Sequence, residues 1–189
     1  MSSLCRLFFA VSLPQTMILD CQTVQNQLRC RVSGVKWTAP ESMHITLVFL
    51  ASVPSSCIPD LQHALDEAAA PLAPFSLGLG EVGTFGPRRA PRVLWLGLNT
   101  DGDALAELHR SLVGSVSALG LPVEDRPFHP HITLARIRAP HHPSDSLTEA
   151  LSSVSVPLRA HEVITGVELI ESRLTKTGAI HQTLHTAYL

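Results

Sequence analysis

No apolar run in this 189-residue chain approaches the ~18 residues needed to cross a bilayer, so a membrane-spanning helix is not its organising element. No C-x-x-C pair occurs among its four cysteines, Cys5, Cys21, Cys30 and Cys57. If 15–30 is a helix, Cys21 and Cys30 fall on nearly opposite faces and cannot share a metal there. They read as scattered core thiols of a cytosolic protein. Positive charge is not in excess either. Lys and Arg number 14 against 16 Asp and Glu, for a formal net charge of −2. That excludes a general nucleic-acid binder with a broad basic face and leaves room only for a local basic pocket. There is no G-x-S-x-G elbow, no Walker loop and no dense carboxylate cluster for two-metal chemistry. No low-complexity tract or linker divides the chain.

What is present is ample apolar material. A hydrophobic fraction of 45% and a mean hydropathy of +0.21 suffice for a packed interior in a single domain spanning 1–189. The opening MSSLCRLFFAVSL imitates a signal peptide, with Arg6 ahead of a short apolar run. Pro14 ends that run, Asp20 follows and no small-residue cleavage site is evident, so it reads as a buried first strand over 5–12. Helices are predicted for 15–30 (inward Met17, Cys21, Val24, Leu28), from Asp60 (Leu61, Ala64, Leu65, Ala68) and for 103–119 (Leu105, Leu108, Leu112, Val116, stopped by Gly120). Further strands are expected at 35–37, 43–50, 75–82, 92–98, 130–137, 156–160, 162–172 and 180–188, with a short helix near 144–152.

Within this order one tetrapeptide occurs twice: HITL at 44–47, in MHITLVFL, and again at 131–134, in PHITLARI. A strand points His44 and Thr46 to one face, and His131 and Thr133 likewise, while each Ile and Leu faces the core. Each copy follows a helix and an irregular stretch, which suggests two similar α+β lobes whose cleft brings the motifs face to face. Two imidazoles there form a natural acid–base pair, one neutral and accepting a proton, one charged and donating it. Hydroxyls beside them can hold phosphoryl oxygens. Two His, two Thr and a nearby cation suffice for in-line displacement at phosphorus with no metal or other cofactor.

MHITLVFL and FHPHITLAR resemble the paired signatures H-x-T-x-x-F-L and H-P-H-x-T-L-x-R of the two-histidine (2H) phosphoesterases. RLFFAVSLP at 6–14, RVLWLGL at 92–98 and VELIESRLTKTGAIHQTL at 167–184 are similar to that family's first strand, middle strand and closing hairpin. The subgroup they resemble most is the RNA 2′,3′-cyclic phosphodiesterase, also called the 2′–5′ RNA ligase. The resemblance implies an α+β fold of two similar lobes, antiparallel sheets lining a central groove and helices packed outside. It implies that water opens the 2′,3′-cyclic phosphate of an RNA end or cyclic nucleotide and leaves a 2′-phosphate, and that the reverse chemistry can form 2′–5′ linkages. By position, His44 would be the general acid and His131 the general base, an assignment that could be reversed. Thr46 and Thr133 would hold phosphate oxygens. Arg136 matches the family's phosphate-contacting arginine, yet lies three after Thr133 and needs a bulge or strand end to turn inward.

Trp37 is a candidate to stack a terminal nucleobase, and Arg88, Arg89 and Arg92 read as a surface turn or RNA-backbone contact. Phe49, Phe128 and Trp95 read as packing, and His129 as a residue supporting its neighbours. A metal site built on His129, His131, His141 and His142 is the competing enzyme hypothesis, and a nucleotide-binding module of the same fold without turnover is the non-enzymatic one. His63, His109, His161, His181 and His185 carry no signal. Oligomeric state is not legible.

Overall fold

The computed structural model describes residues 3–87, 90–100, 102–137, 144–157, 161–176 and 178–189. Period-two burial makes its strands. In β1 (Leu4–Ser12), Leu7, Phe9 and Val11 enter the main core, while Phe8 and Ala10 on the other face join Ile170 in a second, smaller cluster. The helices bury the stripes that the 3.6-residue period predicts. α1 (Gln15–Arg29) buries Met17, Cys21, Val24 and Leu28, and α3 (Ala104–Ala118) buries Leu105, Leu108, Leu112 and Val116. α2 (Ile58–Ala69) starts two residues before Asp60, because Pro59 suits a first turn where no N–H is required. Gly120, at φ 71, lies just past the end of α3 as expected. α4 spans Ser144–Ser152. No described helix is long and apolar enough to cross a membrane.

The remaining strands are β2 (Val35–Trp37), β3 (His44–Pro54), β4 (Phe75–Phe85), β5 (Val93–Thr100), β6 (His131–Ile137), β7 (Glu162–Ile164), β8 (Gly166–Leu174) and β9 (Ala179–Tyr188). Among the described residues they form one sheet in the order β7-β4-β5-β6-β3-β1-β8-β9, with β2 beside β6. The two expected lobes are therefore two four-strand arrays, β6-β5-β4-β7 and β3-β1-β8-β9. They join where Ile45 pairs with Ile132, the isoleucines of the two HITL copies. The motifs stand side by side in neighbouring antiparallel strands rather than facing each other from separate sheets. α2 lies against β8 and β9, and α3 against β3 and α2.

The arrays interleave in sequence, which the strand expected over 162–172 concealed. It breaks at Thr165, so that β7 pairs with β4 in one array and β8 with β1 in the other. Of the strand expected at 156–160, residues 156–157 are irregular and 158–160 lie outside the described residues.

Both HITL strands carry a register slip at the same place. Between β1 and β3, Ala10 pairs with Thr46 but Phe9 with Val48; between β5 and β6, Trp95 pairs with Thr133 but Leu94 with Ala135. The extra residue puts two successive side chains into the core, Leu47 with Val48 and Leu134 with Ala135. Beyond each slip the alternation is inverted, so Phe49 and Arg136 return to the face of the His-x-Thr pairs. The bulge that Arg136 required is thus present. It has a fixed anchor: the Leu134 carbonyl accepts the Thr38 N–H at 2.9 Å and the Gln25 side-chain NH2 at 2.9 Å, and the same NH2 reaches the Thr38 carbonyl at 2.9 Å.

Gln25 is 2% exposed, and removing its donors takes one of two hydrogen bonds from the buried Leu134 carbonyl and the side-chain bond from the Thr38 carbonyl. Gln25→Leu is expected to cost about 1–3 kcal/mol in urea unfolding. Gln25→Glu should cost more at neutral pH, because a carboxylate would face two carbonyl oxygens. Equal stability of both variants to the parent chain would show that the bulge needs no anchor.

Candidate active site

On the sheet face opposite the main core lies a groove of about 600 Å³. His44, Thr46, Thr133, Arg136 and Trp37, all singled out from sequence, line it. His131 does not line it directly; its ring stands edge-on to Phe85, centroids 4.8 Å apart at 87°, on the same face of β6 as Thr133.

The two histidines are held by the same device. His44 Nδ1 lies 2.8 Å from the Ser42 carbonyl, and His131 Nδ1 lies 2.7 Å from the His129 carbonyl, in each case two residues back. A carbonyl only accepts, so Nδ1 carries the proton in both rings and Nε2 is the nitrogen left for chemistry. Each ring also rests on an aromatic neighbour. Phe8 stacks on His44 at 4.7 Å and 27°, as Phe85 flanks His131.

Several side chains occupy places that sequence did not suggest. Trp95, expected in the core, lies on this same face, with His129 4.8 Å away and its indole laid across Gly83. A Cβ on Gly83 would sit 2.3 Å from that indole, so glycine is what lets the ring lie flat. Phe49, also expected as core packing, lines the groove and carries the Arg6 guanidinium 4.5 Å above its ring. Phe128 packs as expected, stacked on His109 at 4.2 Å. Trp37 is half-buried, with the Arg29 guanidinium 5.0 Å from its ring. His181, given no role above, stands on β9 with its ring 5.4 Å from His44 and 5.1 Å from Phe8. The missed signal is plain in IHQT at 180–183, a third His-x-Thr.

The groove is basic in an acidic chain: among the described residues Arg6, Lys36 and Arg136 line it against one carboxylate, Glu41. Burial pushes His44 down from 6.5 to about 4, and His181, His131 and Arg136 add to the push, against the Ser42 carbonyl. His131 is lowered by burial first, then by His129 and Arg136. Burial thus keeps both imidazoles neutral near pH 7. Cys21 is buried and its thiol is pushed up to about 12 by burial, whereas Cys30 is exposed, so only part of the cysteine set belongs to the core. Among the described residues no three His, Cys, Asp or Glu converge as a metal site. His141 and His142 of the competing metal hypothesis lie outside the described residues, as do Arg88 and Arg89.

A histidine whose folded value is depressed to about 4 binds fewer protons folded than unfolded between that value and 6.5. Its burial costs nothing above about pH 6.5 and destabilises the fold progressively as pH falls toward 4. The urea unfolding free energy should therefore drop by about 3 kcal/mol across this window on account of His44. His44→Gln should flatten the drop. An unchanged pH profile in that variant would show that burial of His44 is not what sets it.

The chain matches a family model described as the 2′-5′ RNA ligase superfamily over residues 21–173. It is similar to a Geobacillus stearothermophilus protein named RNA 2′,3′-cyclic phosphodiesterase, 44% identical over 126 residues, or 64% of this chain and 40% of that one. A Thermus thermophilus protein of the same name is 32% identical over 186 residues, covering 95% of this chain and 87% of its own length. The crystal structure of TT0787 from Thermus thermophilus superimposes with a TM-score of 0.82 at 30% identity, over 97% of both chains. Two His-x-Thr strands joined at the centre of a sheet, and these likenesses over most of the chain, lead to one conclusion: the chain belongs to the 2′-5′ RNA ligase superfamily.

Proposed function

We propose that this chain is an RNA 2′,3′-cyclic phosphodiesterase that opens the cyclic phosphate at an RNA end with water and leaves a 2′-phosphate. The observation that carries the reading is the matched setting of His44 and His131. Each lies in a His-x-Thr strand, each has Nδ1 keyed to a carbonyl two residues back, and the strands adjoin at Ile45 and Ile132. With Nδ1 protonated in both, each Nε2 is free to take a proton from a nucleophile or return one to a leaving oxygen.

In the proposed reaction His131 Nε2 removes a proton from water as its oxygen bonds to phosphorus. The P–O3′ bond breaks, and His44 Nε2–H protonates the departing 3′-oxygen. Thr46 and Thr133 donate to the non-bridging oxygens, and Arg136 offsets the charge that grows there. An anionic phosphate between the imidazoles opposes the burial that keeps them neutral, so substrate itself raises the proton affinity of the acid. A ribose 5′-hydroxyl in place of water gives a 2′–5′ linkage by the same proton transfers. The deeper depression of His44 favours the opposite division of labour, with His44 as base, because a base must be neutral before it acts.

Product analysis on an oligonucleotide ending in 2′,3′-cyclic phosphate tests the reading, and a 2′-phosphate is the expected product. Absence of turnover, or a 3′-phosphate, would overturn it. His44→Ala and His131→Ala should each lower turnover ~10²–10⁴-fold. The pH–rate profile should be a bell whose acidic limb disappears when the base is removed and whose alkaline limb disappears when the acid is removed, which assigns the two histidines.

A further inference from the structure

The reacting centre as proposed accounts for His44, Thr46, His131, Thr133 and Arg136. It leaves unused a row of donors on the other side of His44. Leu7 pairs with Glu171, which sets Arg6 of β1 beside Ser172 of β8, and Ser172 pairs with His181 of β9. Arg6, Ser172 and His181 thus lie at one level across three adjacent strands, and all three line the groove. A guanidinium, a hydroxyl and an imidazole side by side present donors of the kind that hold a phosphate.

The neighbouring level of the same strands is apolar, with Phe8 and Ile170 in the small cluster that Phe49 packs against. Phe49 occupies the position in β3 that Arg136 occupies in β6, five residues after the motif histidine and just past the bulge. The first array has no arginine of its own there. It places the Arg6 guanidinium 4.5 Å over the Phe49 ring instead. Two guanidiniums therefore flank the His-x-Thr pairs, one on each side. His181 stands edge-on to His44 with ring centroids 5.4 Å apart, so this row directly adjoins the reacting centre. Ser172 is 6% exposed although it faces the groove, so the hydroxyl is built into the wall rather than lying loose on a surface.

We propose that Arg6, Ser172 and His181 form a second phosphate subsite, which holds the phosphodiester on the 5′ side of the terminal nucleotide while the cyclic phosphate lies at His44 and His131. The inference rests on the proposed RNA-end activity. It deepens that activity by making the polynucleotide, not the isolated cyclic nucleotide, the favoured substrate. Neutral His181 contributes one N–H; its burial and the nearby Arg6 keep it uncharged, so the guanidinium carries the positive charge of the subsite.

The test compares adenosine 2′,3′-cyclic phosphate with the dinucleotide that adds one 5′ adenylyl unit, in the parent chain and in Arg6→Gln and His181→Phe. The parent should favour the dinucleotide in kcat/KM, and Arg6→Gln should reduce that preference by roughly tenfold, the loss of one charge-assisted hydrogen bond. His181→Phe retains an aromatic ring against Phe8 and should reduce it less. Equilibrium binding of the corresponding 2′-phosphate products is read separately. There Arg6→Gln should weaken the dinucleotide more than the mononucleotide and make the log–log salt slope for the dinucleotide shallower by about 0.7. An unchanged preference and an unchanged binding ratio in Arg6→Gln would overturn the subsite. Lack of turnover by the parent on both substrates would overturn the proposed activity, while the binding ratio would still decide the subsite.

Discussion

A strand shows alternate side chains to alternate faces, and the groove of this protein needs residues that strict alternation cannot deliver. His and Thr of each motif obey it; the residues five positions after each histidine do not. One register slip in each strand resolves the conflict, by sinking Leu47 with Val48 and Leu134 with Ala135 into the core and returning Phe49 and Arg136 to the groove. The rest of the site depends on these two slips. Without the first, Arg6 has no ring to lie on; without the second, the site has no guanidinium from β6. The slip in β6 is tied to α1 through Gln25, so a helix on the far side of the sheet takes part in placing a groove residue.

Electrostatics follow from the same geometry. Burial first, and neighbouring imidazoles and Arg136 second, keep His44 and His131 from holding a second proton. The cations that add to this push are also the ones that attract a phosphate. The identical carbonyl keys on His44 and His131 leave their chemistry undivided in the empty groove, and the difference between acid and base arises from surroundings: His44 is sunk deeper, against Phe8 and near His181, while His131 stands at the Phe85 and Trp95 side.

Helices were the most legible elements, because the stripes headed by Met17, Leu61 and Leu105 are buried as their spacing requires. The His-x-Thr pairs were legible because same-face spacing carries chemical meaning by itself. Arg136 was legible only in part: parity demanded a bulge, and the buried pair Leu134–Ala135 supplies it. The break at Thr165 has only Gly166 to signal it, and EVITGVELIE otherwise reads as one strand whichever partner its halves choose. Trp95 was misplaced because in a sheet with one face on the core and the other lining a groove, an aromatic residue suits either. His181 was overlooked because it comes from the outer strand β9, and only the curl of the sheet brings it to His44.

The return of β8 and β9 to the strand that opens the chain has a consequence for how the protein comes into being. β1 is synthesised well before its neighbour β8, at Gly166–Leu174, and before β9, at Ala179–Tyr188. Until then β1 presents one unpaired edge, with Phe8 and Arg6 uncovered by the strands that complete their row. A closure of this span makes folding slow and late. The wall of the groove beside His44 can assemble only after β8 and β9 have both been made. A nascent chain interrupted before β8 could carry both HITL motifs and still lack the pocket between them and the closing hairpin.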